Sequence, residues 1–272
     1  MEISESITVA ATSKLGDDKC WYCEEQDPPD ELNNETVADP QTNDSDDEDF
    51  PPENDVKNDA SALGQNVGSR PEWQMNRPID EKLTTVVPGA HHLIPGNASL
   101  KKAMDNGLKH FMCKGGNYDL ESDIGYNVND ANNGVWLPGN YQVRPGNEDY
   151  TKKWSKYSSD FKNLYAVRAM KKANAQFHDA HSKYNKKVRN TLKSLKEKMI
   201  LKKENECPIC GKTNHKKTNP PFGLVSRLHF ISMQHRQMLT GIGRKKSRKL
   251  SMIKNGYHTS SHVYALFGLK KS

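Results

Sequence analysis

The stretch Ala90-His91-His92-Leu93-Ile94-Pro95 decides how the rest of the chain is read. It follows Leu83-Thr84-Thr85-Val86-Val87, whose β-branched residues and loose alternation predict a strand running into the histidine pair. Neighbouring strand side chains point to opposite faces, so His91 and His92 can take separate jobs. Further on comes Asn132-Asn133-Gly134-Val135-Trp136-Leu137-Pro138, in which an Asn-Gly turn signal opens a second short strand. His178 and His181 come later still, inside a stretch from Tyr150 to Lys203 that lacks Gly and Pro and predicts the longest helical region. Three residues apart, they would share one helix face.

Paired His, then Asn, then helical His is an order that suits phosphodiester hydrolysis with one metal. That reaction needs a base for water, a cation for the phosphate charge and help for the leaving oxygen. Histidine can be the base because its ordinary pKa lies near neutrality. A divalent cation can serve the other two needs as a Lewis acid. Taken singly, each piece has a plainer meaning: a surface or core His pair, a turn, a solvated helix face. Their co-occurrence in this order is what shifts the balance.

Composition agrees with a polyanion partner. The chain has 272 residues, 34% of them hydrophobic and 27% charged, with a formal charge of +6. Residues 1–89 carry 22 Asp and Glu against 6 Lys and Arg; residues 90–272 carry 12 against 34. A basic body of this size is the electrostatic footprint of a nucleic-acid binder. The centre of the acidic part, Asn43-Asp44-Ser45-Asp46-Asp47-Glu48-Asp49, predicts disorder and reads as a solvated linker, with shielding of the basic body as a second reading. No apolar run approaches a membrane span, and Met1-Glu2-Ile3-Ser4-Glu5 does not open a signal peptide. Any export is therefore expected to use a route without a cleaved signal. Near the other end, Arg244-Lys245-Lys246-Ser247-Arg248-Lys249 is a candidate phosphate-contacting cluster.

Four of five cysteines form two C-x-x-C pairs, Cys20/Cys23 and Cys207/Cys210. Cys207-Pro208-Ile209-Cys210-Gly211 looks like a zinc knuckle. Joined by Cys20 and Cys23 it would make a closed tetrahedral structural zinc site. The alternative shell is Cys207 and Cys210 with His215 and either His229 or His235. Cys113 reads as an ordinary thiol.

Ala90-His91-His92-Leu93-Ile94-Pro95, Asn133-Gly134-Val135-Trp136-Leu137-Pro138 and Phe177-His178-Asp179-Ala180-His181-Ser182-Lys183-Tyr184 together resemble the AHH family of the HNH/endonuclease VII superfamily. Members of that family occur as toxin domains of bacterial polymorphic toxins and as type VI secretion effectors. The resemblance spans roughly residues 84–195. It implies His92 as general base and His91 as a metal ligand. It further implies Asn133 orienting the base, with Asn132 as the fallback, and His178 and His181 as metal ligands or phosphate contacts, the choice between them open. Tyr184 is expected to pack the helix. The implied ion is Mg2+, with Zn2+, Mn2+ or Ni2+ as alternatives because imidazole also suits softer ions.

The expected fold is α+β: a ββα-metal core with mainly helical elaboration and a structural zinc knuckle. The expected organisation is an N-terminal Cys-pair segment (1–30), an acidic flexible linker (31–82), the nuclease core (83–203) and a basic zinc-knuckle and helical region (204–272). The expected function is a metal-dependent endonuclease that cleaves DNA with little sequence preference and acts as an antibacterial toxin. It would be made in the bacterial cytoplasm and delivered into a target cell without a signal peptide. The resemblance also implies a cognate immunity protein and a secretion-system spike or adaptor as partners. The rival readings are a non-catalytic, zinc-stabilised nucleic-acid-binding protein and a phage or homing HNH endonuclease.

Overall fold

The computed structural model describes residues 57–113, 120–143, 152–204, 224–243 and 246–269, together with 145, 147 and 150. Both cysteine pairs, and with them the expected zinc knuckle, lie outside the described residues, as do Arg244, Lys245 and the Lys246 side chain. Among the described residues, helices and two small antiparallel sheets make a mixed α+β fold.

Helix α1 (Ala60–Val67) starts where the Asp59 side chain accepts from the Ser61 and Ala62 amides and stops at Gly68, whose φ of 94° favours glycine. Strand β1 (Trp73–Asn76) pairs antiparallel with β2 (Leu83–Val86) in the register Trp73 to Val86. The expectation of a flexible linker over 31–82 is therefore corrected for residues 57–82. Met75 and Val86 are buried in a shared apolar cluster, and Arg168 clamps the hairpin turn through a two-bond ion pair to Glu81, at 2.7 and 2.8 Å.

The second sheet positions the site. β3 (Pro88–His92) and β4 (Gly134–Pro138) pair antiparallel, with His91 opposite Val135 and His92 opposite Gly134. Helix α1 lies directly against this pair. A Cβ on Gly134 would sit 2.2 Å from the Val67 side chain and 2.8 Å from that of Leu63. Between the two strands run a π-helical turn (Gly96–Lys101), α2 (Lys102–Asp105) and α3 (Leu120–Ile124).

The expected continuous helix from Tyr150 to Lys203 is two helices, α4 (Ser159–Ala173) and α5 (Ser182–Glu204), separated by a non-helical segment. Ser158 caps the first helix by accepting from the Phe161 amide at 3.2 Å. Asn174 ends it in the left-handed region, at φ 51° and ψ 36°. The carbonyl of Asn174 then accepts from the amides of Gly241 and Ile242; Gln176 donates to Leu239 at 2.7 Å, His178 to Pro138 at 2.7 Å and Asp179 to Thr259 at 3.1 Å. From Gln176 onward the segment is held by distant chain. Ala175 enters one apolar cluster and Phe177 the other, as an extended backbone allows.

Three more helices follow: α6 (Leu224–Leu239), α7 (Lys246–Lys254) and α8 (Val263–Leu266). The larger apolar cluster joins Leu93, Ile94, Met104 and Phe111 to Tyr184, Val188 and Leu192 of α5 and to Leu224, Leu228 and Leu239 of α6. The smaller one joins β1 and β2 to Tyr165, Ala169 and Met170 of α4, to Phe177 and to Val263 and Tyr264 of α8. No described helix is long and apolar enough to cross a membrane.

Candidate active site

His91, at the end of β3, faces the segment between α4 and α5. Its ring centroid lies 5.0 Å from that of His178 and 5.0 Å from that of His181, and the last two are 5.2 Å apart. One nitrogen from each of the three rings falls within 4.8 Å of the others. His178 and His181 meet here without sharing a helix face, contrary to the expected i, i+3 pair. His178 lies on a bridge to Gly139, beyond the end of β4, and His181 immediately precedes α5. The break in the long helix is what aims both rings at His91.

The residues behind two of the rings orient them, and for His181 the partner also sets the tautomer. The Asn185 Oδ1 lies 3.0 Å from His181 Nδ1; a carboxamide oxygen only accepts, so Nδ1 carries the proton and Nε2 the lone pair. The Tyr141 hydroxyl lies 3.0 Å from His178 Nδ1, which turns Nε2 away from it. The Tyr141 ring occupies space left by two glycines: a Cβ would come within 2.6 Å of the ring at Gly89 and 2.5 Å at Gly139. His91 Nε2 is buried and has no hydrogen-bond partner among the described residues. A buried polar atom with no partner is costly, and a cation among three imidazole nitrogens would satisfy it. The triad therefore fits a divalent metal.

Burial, followed by the neighbouring His178 and His181, holds the His91 pKa well below the ordinary histidine value. Burial also pushes that of His235, which lies between the rings of Tyr184 and Tyr257, down to about 4. For a histidine depressed in the folded state, the unfolded chain binds more protons once pH falls below about 6.5. Stability contributed by these two groups is present above that pH and is lost as pH falls through it. Thermal melts of metal-free protein should therefore show Tm falling from about pH 6.5 toward about pH 4. A flat Tm across that window would contradict the buried neutral assignment.

His92 points elsewhere, as strand alternation requires. Its Nε2 lies 2.8 Å from Asn129 Oδ1. The same oxygen accepts from the Asp59 amide at 3.0 Å, while Asn129 Nδ2 donates to the Lys57 carbonyl at 3.3 Å. Those two partners fix which end of the amide is oxygen. His92 Nε2 therefore carries the proton and Nδ1 the lone pair. Asn127 shapes this loop by accepting from the Asn129 amide, as Asp130 does from that of Asn132.

Asn133 does not meet the expectation of orienting the base imidazole. Its side chain clamps backbone: Oδ1 accepts from the Ile94 amide at 2.7 Å, and Nδ2 donates to the Ile94 and Val128 carbonyls at 2.9 and 2.8 Å. Its carbonyl accepts from Leu93. The exposed Asn132 does not take the role either. The Asn-rich stretch Asn127-Val128-Asn129-Asp130-Ala131-Asn132-Asn133 offers several amides, and only tertiary contacts select Asn129. Asn185 carried a legible signal, standing four residues after His181 at the start of a helix. Tyr184 is buried and donates to the Leu93 carbonyl at 2.7 Å, a packing and pinning role as expected.

Of the basic cluster, Arg248 is exposed on α7, whereas the Lys249 ammonium turns back onto the carbonyls of Thr240 and Gly241. Lys249 closes the turn after α6, so the phosphate contact expected of it is replaced by a structural one. His229 packs on the Tyr126 ring, 5.9 Å between centroids. Cys113 is half-buried.

No curated protein and no solved structure matches the chain. A family match does exist: residues 84–207 match AHH, described as a nuclease family of the HNH/ENDO VII superfamily with a conserved Ala-His-His. The matched region contains both strands of the second sheet, all three clustered histidines and the Asn129–His92 pair. Ala90-His91-His92, at the end of β3, supplies that signature, and residues 84–207 of this chain are similar to the AHH nuclease family.

Proposed function

We propose that the chain is a divalent-metal-dependent endonuclease that hydrolyses DNA phosphodiesters with little sequence preference. One observation carries this reading: three clustered imidazoles stand beside a fourth, His92, whose Nε2 proton is held by Asn129. His91, His178 and His181 would hold the ion. Bound there, it would supply Lewis-acid charge stabilisation to the phosphate and the leaving oxygen. The antiparallel β3–β4 pair and α5 would together form the ββα-metal core.

His92 would take a proton from the attacking water at Nδ1, the nitrogen that bears the lone pair when Nε2–H donates to Asn129. Asn129 positions the ring and would stabilise the positive charge that develops on it. Asn133 and Tyr184 hold the backbone just after the base, at Ile94 and Leu93. Three imidazole nitrogens make a softer donor set than the oxygen shell Mg2+ prefers, so Zn2+, Ni2+ or Mn2+ is proposed ahead of Mg2+. The basic balance of residues 90–272 supports a nucleic-acid substrate, and DNA is proposed ahead of RNA.

The wider biology extends the proposal from that resemblance alone. It comprises an antibacterial effector made in the producing cell's cytoplasm, delivered by a secretion system and neutralised by an immunity protein.

The test is plasmid cleavage by purified full chain after chelation, with Mg2+, Mn2+, Ni2+ or Zn2+ restored one at a time. Cleavage that EDTA abolishes and one of these ions restores is the expected result. Intact plasmid under all four ions would refute the DNA-endonuclease reading.

A further inference from the structure

Helix α6 lies outside the family region 84–207, yet its polar side chains reach the chain that frames the site. Its apolar residues Leu224, Leu228, Ile231 and Leu239 are buried and account for its packing. Ser232 and Arg236, four apart and so on one helix face, do something different. The buried Ser232 hydroxyl donates to Asn133 Oδ1 at 3.0 Å. One Arg236 nitrogen donates to the carbonyls of Ala131 at 2.7 Å and Gly134 at 2.8 Å.

These bonds converge on the residues that hold His92. Gly134 is the residue paired with His92 across the sheet. Asn133 fixes Leu93 through its carbonyl and Ile94 through its side chain, just beyond the base. Arg236 thus holds the strand opposite His92, and Ser232 orients the amide that clamps the chain after it. Neither residue is among the three histidines proposed to hold the ion.

We propose that Ser232 and Arg236 are positioning residues for the base, so that the catalytic unit extends through α6, beyond the family region. This rests on the nuclease reading above. It assigns α6 to base placement and not to metal or substrate affinity. A misplacement of about 1 Å at a reacting group can cost about 100-fold in rate, so the effect should appear in kcat.

The test uses the full chain with Ser232→Ala, Arg236→Gln and Arg236→Lys, each assayed well below its own Tm. Duplex cleavage gives kcat and KM, and titration gives divalent-ion affinity. Ser232→Ala and Arg236→Gln are expected to lower kcat by about 10-fold or more, with KM and ion affinity within about 2-fold of wild type. Arg236→Lys keeps a charged donor and should restore part of the loss; if Arg236→Gln does not fold, Ser232→Ala carries the comparison.

Unchanged kcat in Ser232→Ala and Arg236→Gln overturns the proposal. A loss confined to KM or ion affinity overturns it too, by assigning the helix to the substrate or metal shell. A wild-type chain that cleaves beside variants that cleave equally well leaves the nuclease reading standing and removes only this one. A wild type inert with every ion removes both.

Discussion

Replacing His92 with alanine is expected to lower DNA cleavage by about 100- to 10,000-fold, the usual contribution of a positioned general base. Divalent-ion affinity should stay within about 2-fold of wild type. The separation follows from the strand: His91 turns toward His178 and His181, while His92 turns toward Asn129. Loss of the base therefore leaves the three clustered nitrogens in place. Asn129→Leu, which keeps His92 but removes the acceptor for its Nε2 proton, should show a smaller fall in kcat with KM little changed. Single-turnover cleavage at saturating ion, with calorimetric titration of the ion on the same samples, measures both quantities. Cleavage that survives His92→Ala would assign the base elsewhere. Cleavage lost together with ion binding would place His92 in the metal shell.

The contrast between His92 and its neighbours shows what could be read from the chain in advance. Strands at Ala90-His91-His92 and at Gly134-Val135-Trp136-Leu137 were legible from local signals, but the single strand expected from Leu83 into the histidines is two, β2 paired with β1 and β3 paired with β4. The separation of His91 from His92 follows from strand alternation alone. The path of His178 was not legible. No Gly or Pro marks the break after Ala173, and the extended segment is held by Gly241, Leu239, Pro138 and Thr259, all distant in sequence. Local periodicity continues across the gap, while the bonds that override it are tertiary. Asn133 illustrates the same limit. Its place just before the second strand was evident, but whether its amide faces an imidazole or a backbone depends on where Asn129 and Ser232 arrive. For α1 the local signals existed, in Asp59 at its start and Gly68 at its end, and the acidic average of the surrounding sequence masked them. Ser232 and Arg236 had no local signal at all, because their partners lie about 100 residues away in sequence.

Replacing His178 with alanine is expected to weaken divalent-ion binding by more than about 100-fold, beyond the 10- to 100-fold usual for removing an outer partner of a ligand. Cleavage should fall in parallel at any fixed ion concentration. The three rings stand 5.0 to 5.2 Å apart by centroid, so removing one leaves two nitrogens and an open side that the remaining pair cannot close. Tyr141→Phe separates ligation from orientation at the same ring. It keeps the aromatic body between Gly89 and Gly139 but removes the hydroxyl beside His178 Nδ1. Its loss of affinity should fall within about 10- to 100-fold, and added ion should restore its cleavage fully. His178→Ala should stay impaired at ion concentrations that rescue Tyr141→Phe. Ion titrations followed by cleavage at each saturation level measure this order. Equal affinity in His178→Ala and wild type would remove His178 from the metal shell and leave His91 and His181 to be tested as ligands without it.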